Sequence, residues 1–157
     1  MNQDNFREFY LKTAPALRGY AARCCGSKEL AEDIMQEAFL RFLRTAPSDM
    51  EEQAMKGYLY RTVDSLLVDH WRRWKRNQRW SLEMLFRREP PPDHSKDHDM
   101  TEAFRGLKPQ QRSLLWLAYV EGFDHREIAA AAGVKEKSVK VLLFRARKAL
   151  AAILEGK

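Results

Sequence analysis

Three consecutive prolines, Pro90-Pro91-Pro92, constrain what this chain can fold into more than any other feature. Each lacks a backbone donor and fixes φ at about −65°, so neither a helix interior nor a central strand can run through them. Around them, from Ser81 to Asp99, helical periodicity fades, and Asp93-His94-Ser95-Lys96-Asp97-His98-Asp99 is strongly polar. The stretch reads as a flexible linker. No strand-like alternation longer than a few residues and no internal repeat occurs elsewhere. The expected fold class is therefore all-α, with two small helical domains, 1–80 and 100–157, joined by a linker over 81–99. A length of 157 residues, 45% of them apolar, supplies enough apolar surface for compact cores and argues against wholesale disorder.

Charge divides along the same lines. The net charge is +6, but residues 1–54 sum to −2, 55–80 to +5, 81–105 to −2 and 106–157 to +5. Two basic blocks separated by acidic ones suggest a polyanionic partner met at two places. No apolar run approaches the roughly 20 residues that span a bilayer. Met1 to Tyr10 is polar, without a signal-peptide core, so a cytoplasmic protein without membrane insertion is expected. Cys24 and Cys25 are adjacent and rarely pair in such a position, so two small buried or half-buried side chains are expected rather than a disulfide.

The helices can be read face by face. Phe6 to Cys25 is helical by composition, with Pro15 a possible interruption, and Gly26-Ser27 ends it. On the second helix, Lys28 to Arg44, Ala31, Ile34, Met35, Ala38 and Phe42 form a core stripe. Asp33, Gln36, Leu40 and Leu43 fall together on another side, either a docking surface or a face covered by a neighbouring helix. The third helix, about Met55 to Arg76, buries Leu59, Val63, Leu66, Leu67, His70 and Trp74. Arg61, Ser65, Arg72 and Arg76 lie opposite, Trp71 beside the stripe and Trp80 just beyond. Cations that match phosphates, next to indoles that stack on bases, suit single-stranded nucleic acid. After the linker, a helix opening near Thr101 runs to Gly106, another spans Gln110 to Val120 behind Pro109, and a short one covers His125 to Ala132. Gly133 then supplies a turn into a last helix, with Ser138 in its first turn, reaching about Leu154. Short helix, glycine turn and second helix form a helix-turn-helix. The last helix buries Val139, Leu142, Leu143, Ala146, Leu150 and Ile153, and it presents Lys140, Val141, Phe144, Arg145 and Lys148 in a form that fits a major groove.

These segments together resemble bacterial extracytoplasmic-function sigma factors of the sigma-70 family. Ala31-Glu32-Asp33-Ile34-Met35-Gln36-Glu37-Ala38-Phe39-Leu40 is similar to their polymerase-binding segment. Gly57-Tyr58-Leu59-Tyr60-Arg61-Thr62-Val63 with Asp69-His70-Trp71-Arg72-Arg73 resembles their −10 segment. Leu107-Lys108-Pro109-Gln110-Gln111-Arg112, Tyr119-Val120-Glu121-Gly122, Glu127-Ile128-Ala129 and Arg145-Ala146-Arg147-Lys148-Ala149-Leu150 resemble their −35-binding domain. The resemblance implies a non-enzymatic transcription initiation factor without cofactor or metal. Its expected partners are RNA polymerase core (the β and β′ subunits), promoter DNA and an anti-sigma factor. It implies that Asp33, Gln36, Leu40 and Leu43 bind polymerase. Arg61, Ser65, Trp71, Arg72, Arg76 and Trp80 would hold the −10 strand, and Ser138, Lys140, Val141, Phe144, Arg145 and Lys148 would read the −35 duplex. Asp64-Ser65 stands where the family often has Asn; a carboxylate there opposes a nucleic-acid backbone, so Asp64 is expected to be turned away or paired with an arginine. Two other function classes are weighed against this one. A helix-turn-helix regulator acting without polymerase leaves the Asp33/Leu40 face unexplained. A metal enzyme using Asp93, His94, Asp97, His98 and Asp99 would need a rigid frame that a linker does not provide.

Overall fold

A computed structural model describes residues 3–45, 49–80 and 96–156, with side chains for 3–45, 49–76 and 100–156. The described residues form seven helices and no strand: α1 (Gln3–Cys25), α2 (Lys28–Thr45), α3 (Glu52–Trp80), α4 (Lys96–Arg105), α5 (Pro109–Tyr119), α6 (His125–Ala132) and α7 (Glu136–Glu155). The helix expected from Thr101 starts five residues earlier, at Lys96, so 96–99 belong to α4 rather than to the linker. The rest of the expected linker, 81–95, lies outside the described residues. Pro15 does not interrupt α1, which runs through it on an exposed side.

Local chemistry sets the ends. Gly26, at φ 73°, ends α1, and the Leu30 amide donates to the Ser27 hydroxyl at the start of α2. Before α6 the Glu127 amide donates to Asp124 Oδ1 at 2.8 Å, and the Asp124 amide donates to Glu127 Oε1 at 3.1 Å. This reciprocal pair satisfies two amides that a helix start leaves without intrahelical partners. Gly133, at φ 70°, gives α6 a left-handed end and turns the chain into α7.

In the first unit, α1, α2 and α3 bury Leu17, Met35, Ala38, Leu59, Val63 and Leu67 between them. In the second, α5, α6 and α7 close over Leu114, Leu117, Ile128, Val139 and Ala146. The two units are not separate. Their buried side chains form one continuous cluster, in which α4 packs on α1 and α6 packs on α3. Tyr20 of α1 sits at the centre of the seam, edge-on to Tyr60, Phe104 and Trp116 at centroid distances of 5.2, 6.0 and 5.4 Å.

The seam also carries the most deeply placed carboxyl described. Asp64 of α3 points into the core, where the Tyr20 hydroxyl donates to its Oδ1 at 2.6 Å and the Ser113 hydroxyl of α5 donates to its Oδ2. Burial pushes its pKa up to about 6, against the opposing pull of those two hydrogen bonds and of Arg112. Alongside it, Trp116 Nε1 donates to the Tyr60 hydroxyl at 2.9 Å, which donates to Glu121 Oε1 at 2.8 Å. Lys56 reaches Glu121 Oε2 at 3.2 Å.

A carboxyl whose pKa is raised by folding binds its proton more tightly in the native state. Its contribution to stability is present in full below the unfolded value of 3.8 and is lost as pH rises through about 6. Asp64→Asn, which keeps the shape without the charge, is therefore expected to stabilise the chain at pH 7.5 by on the order of 2 kcal/mol relative to wild type. That difference should shrink as pH falls to 5, as read from denaturant unfolding at both pH values.

Candidate functional site

Each helix that builds the core has a second face that the core does not use. On α2 the stripe Ala31, Ile34, Met35, Ala38, Phe42 is buried as expected from periodicity, and Phe39 joins it. Asp33 and Gln36 are exposed, and so are Leu40 (45%) and Leu43 (54%). Two leucines left in water beside a carboxylate and an amide form an apolar strip with polar edges, the composition of an interface core with its rim.

On α3 the same division holds. Leu59, Val63, Leu66 and Leu67 are buried, while His70 and Trp74 are half-buried. Ser65, Arg72 and Arg76 are exposed on one side, and Trp71, 39% exposed, stands edge-on to Trp74 at 5.4 Å. Arg41 of α2 faces Arg72, Arg73, Lys75 and Arg76 across a cleft of about 750 Å³ in which Asp69 is the sole acidic lining residue among the described ones. Such a cleft concentrates positive potential where a phosphate backbone could lie. Arg41, Arg73 and Lys75 were not among the expected site residues; Arg73 and Lys75 lie on α3 between Arg72 and Arg76, and the packing of α2 on α3 brings Arg41 to them. Arg61 is set apart from this group, because its guanidinium donates to the Ala131 carbonyl in the last turn of α6. The side chain of Trp80 lies outside the described residues.

On α7 Val139, Leu143 and Ala146 are buried, and Leu142, Leu150 and Ile153 are half-buried. Lys140, Val141 (48%), Phe144 (52%), Arg145 and Lys148 are exposed, and Ser138 is half-buried in the first turn. Lys148 stands over the Phe144 ring at 5.4 Å, which keeps that apolar surface partly covered. The arrangement is a groove-sized helix with cations around an apolar centre.

A further open surface was not visible as periodicity. Arg23, Met100, Phe104, Trp116, Tyr119 and Val120 border an apolar groove of about 390 Å³ between the end of α1 and helices α4, α5 and α7. Tyr119 and Val120 stand at the end of the helix expected over Gln110 to Val120, and the turn at Gly122 leaves both exposed. Both thiols are free: Cys24 is buried, and burial pushes it up to about 12, while Cys25, half-buried, donates to the Ser27 carbonyl. Among the described residues no cluster of His, Cys, Asp and Glu could hold a metal ion, and no helix is long and apolar enough to cross a membrane.

Comparison with known proteins finds sigma-70 regions in both halves of the chain. Residues 9–77 match the family described as sigma-70 region 2, and residues 98–150 match sigma-70 region 4. The chain is 31% identical over 149 residues to the ECF RNA polymerase sigma factor SigF of Caulobacter vibrioides, covering 93% of this chain and 83% of that one. It is 30% identical over 139 residues to the ECF RNA polymerase sigma factor SigE of Mycolicibacterium smegmatis, 83% of this chain but 54% of that longer one. Among solved structures, the sigma factor RpoE in complex with the anti-sigma factor NepR from Bartonella quintana superposes with a TM-score of 0.69 at 22% identity, covering 96% of this chain and 97% of that one.

The exposed leucines give a direct test of the two-faced α2. Leu40→Ser combined with Leu43→Ser should change unfolding free energy by less than about 1 kcal/mol, since neither side chain leaves a cavity. Phe42→Ala, on the buried stripe, should cost about 3–5 kcal/mol by the same denaturant measurement.

Proposed function

The chain belongs to the extracytoplasmic-function sigma factors of the sigma-70 family, and on that premise we propose how its own residues bind polymerase and promoter. One observation carries the reading. Three helices of the chain, α2, α3 and α7, each bury one stripe and leave a second face open, and the three open faces differ in chemistry. The Asp33, Gln36, Leu40, Leu43 face is the docking surface for the β and β′ subunits of RNA polymerase core. Leu40 and Leu43 supply apolar burial, and Asp33 and Gln36 fix the register.

The face of α3 carrying Ser65, Trp71, Arg72 and Arg76, with Arg61 and Trp80 completing it, takes the non-template strand of the −10 element. Arginines hold phosphates and indoles stack on unpaired bases, so the surface favours DNA already opened. Lys140, Val141, Phe144, Arg145 and Lys148 of α7, with Ser138 at its start, enter the −35 major groove. Arg145 supplies the donors for base reading, and Val141 with Phe144 offers contact to thymine methyl groups. Residues 1–80 and 100–157 act as the two functional units. The protein acts in the cytoplasm by binding alone, without catalysis or cofactor. An anti-sigma factor would cover the apolar groove at Tyr119 and Val120, its acidic side chains meeting Arg23 and Arg147 at the rim.

Two measurements test this reading. Asp33→Arg should weaken binding to core polymerase at least about tenfold without changing the circular dichroism spectrum, since the side chain lies off the core. In assembled holoenzyme, Arg145→Ala should abolish preference among −35 sequences yet leave binding to a pre-opened −10 bubble within about twofold, and Trp71→Ala should do the reverse and slow opening. A chain that binds duplex sites with no preference for a bubble, and without polymerase, would be a plain helix-turn-helix regulator instead.

A further inference from the structure

We propose that the cavity where α3 meets α5 and α6 is a binding site for a small, weakly basic nitrogen heteroaromatic, such as an imidazole or a benzimidazole. The cavity encloses about 240 Å³, the room of roughly eight water molecules at about 30 Å³ each, which suits one ring or two fused rings. The room exists because α6 presents only Ala131 and Ala132, short side chains, to this space. Leu117 of α5 and Tyr60 of α3 also line it, and apolar walls with a few convergent polar groups are what a small aromatic ligand requires.

Those polar groups are one donor short. Asp64, 9% exposed, accepts from the Tyr20 hydroxyl at 2.6 Å and from the Ser113 hydroxyl. Ser113 has a single proton and two acceptors within reach, Asp64 Oδ2 and the Pro109 carbonyl at 2.9 Å. Two hydroxyls thus supply two protons to three acceptors. A ring N–H that enters the cavity and donates to Asp64 supplies the third and releases Ser113 to Pro109. Gln110 and Arg61 border the same space and are both exposed, so they form its mouth. Either can donate to the second nitrogen of the ring. Arg61 spends one N–H on the Ala131 carbonyl, and its guanidinium carries others.

Charge narrows the class of ligand. Tyr20 and Cys24 face Asp64 from α1, and Ser113 and Arg112 from α5. Tyr60 and Arg61 of its own helix border the cavity, and α6 adds no titratable group to the lining. Two arginines near the carboxyl disfavour a permanent cation, and the carboxyl itself disfavours an anion. A ring that titrates near 6.5, as the imidazole of histidine does, matches a carboxyl at about 6. One proton then serves both partners, and the pair adds no net charge to a buried place. Apart from Arg61, the site shares no residue with the faces proposed for polymerase and promoter, and its test needs neither.

The test is a nuclear magnetic resonance titration of the full chain at pH 6.5 with three probes. Benzimidazole carries both ring nitrogens, indole has the same shape without the basic one, and benzamidine is a permanent cation. Benzimidazole should give saturable shifts at the amides of Gly57, Leu117 and Ala132, and it should bind about tenfold more tightly than either other probe. Asp64→Asn should bring benzimidazole down to the affinity of indole, and Gln110→Ala should weaken it by about threefold. Ala132→Leu, which fills the cavity, should remove the binding of every probe. Equal affinity for benzimidazole and indole in the wild type would overturn the class of ligand. Absence of saturable shifts at the cavity amides, or shifts that persist in Ala132→Leu, would overturn the site. Should Asp64→Asn or Ala132→Leu lose its helical circular dichroism, the ranking of probes on the wild type and the loss in Gln110→Ala decide the matter.

Discussion

A buried carboxyl shared by three helices governs how this molecule is put together. Asp64 belongs to α3, Tyr20 to α1 and Ser113 to α5, so the groups that satisfy it come from both halves of the chain. An unpaired carboxylate in such a place would cost several kcal/mol. Its partners can be brought together only if the second unit docks on the first. The aromatic side chains follow that requirement. Tyr20 meets Tyr60, Phe104 and Trp116 edge-on, and Trp116 in turn supports the Tyr60–Glu121–Lys56 chain. The seam is consequently polar at its centre and apolar around it, unlike the interior of either unit.

That arrangement leaves the helices free to present chemistry on their other sides. α2 offers leucines bordered by Asp33 and Gln36, α3 offers arginines with an indole, and α7 offers a basic helix centred on Phe144. None of these faces contributes a side chain to the Asp64 cluster. Residues on these faces can therefore change with little effect on the core. Arg61 is the exception, since it belongs by helical phase to the α3 basic face yet is committed to α6. It couples the folding of the seam to the basic face of α3.

Much of this was legible in the residues. The stripes of α2 and α7 follow a 3.6-residue period, and the Gly133 turn out of α6 follows from chemistry that operates within a few residues. What was not legible depends on distance along the chain. The inward turn of Asp64 requires Ser113, 49 positions later. The basic cleft requires Arg41 to meet Arg76 through the packing of α2 on α3. The early start of α4 at Lys96 has no apolar period to reveal it, because Lys96 to Asp99 is wholly polar. The exposure of Tyr119 and Val120 arises from the chain's turn at Gly122 and not from their composition.

The most direct measurement on this account is the titration of the Asp64 carboxyl carbon by nuclear magnetic resonance in the intact chain. Placement in the seam between Tyr20 and Ser113 predicts a midpoint near 6. The chemical shifts of residues in both α1 and α5 should move with the same midpoint, because both donate to that group. A midpoint near the ordinary value of 3.8, with α5 unaffected, would contradict it: Asp64 would then stand in water and the two units would not share a core.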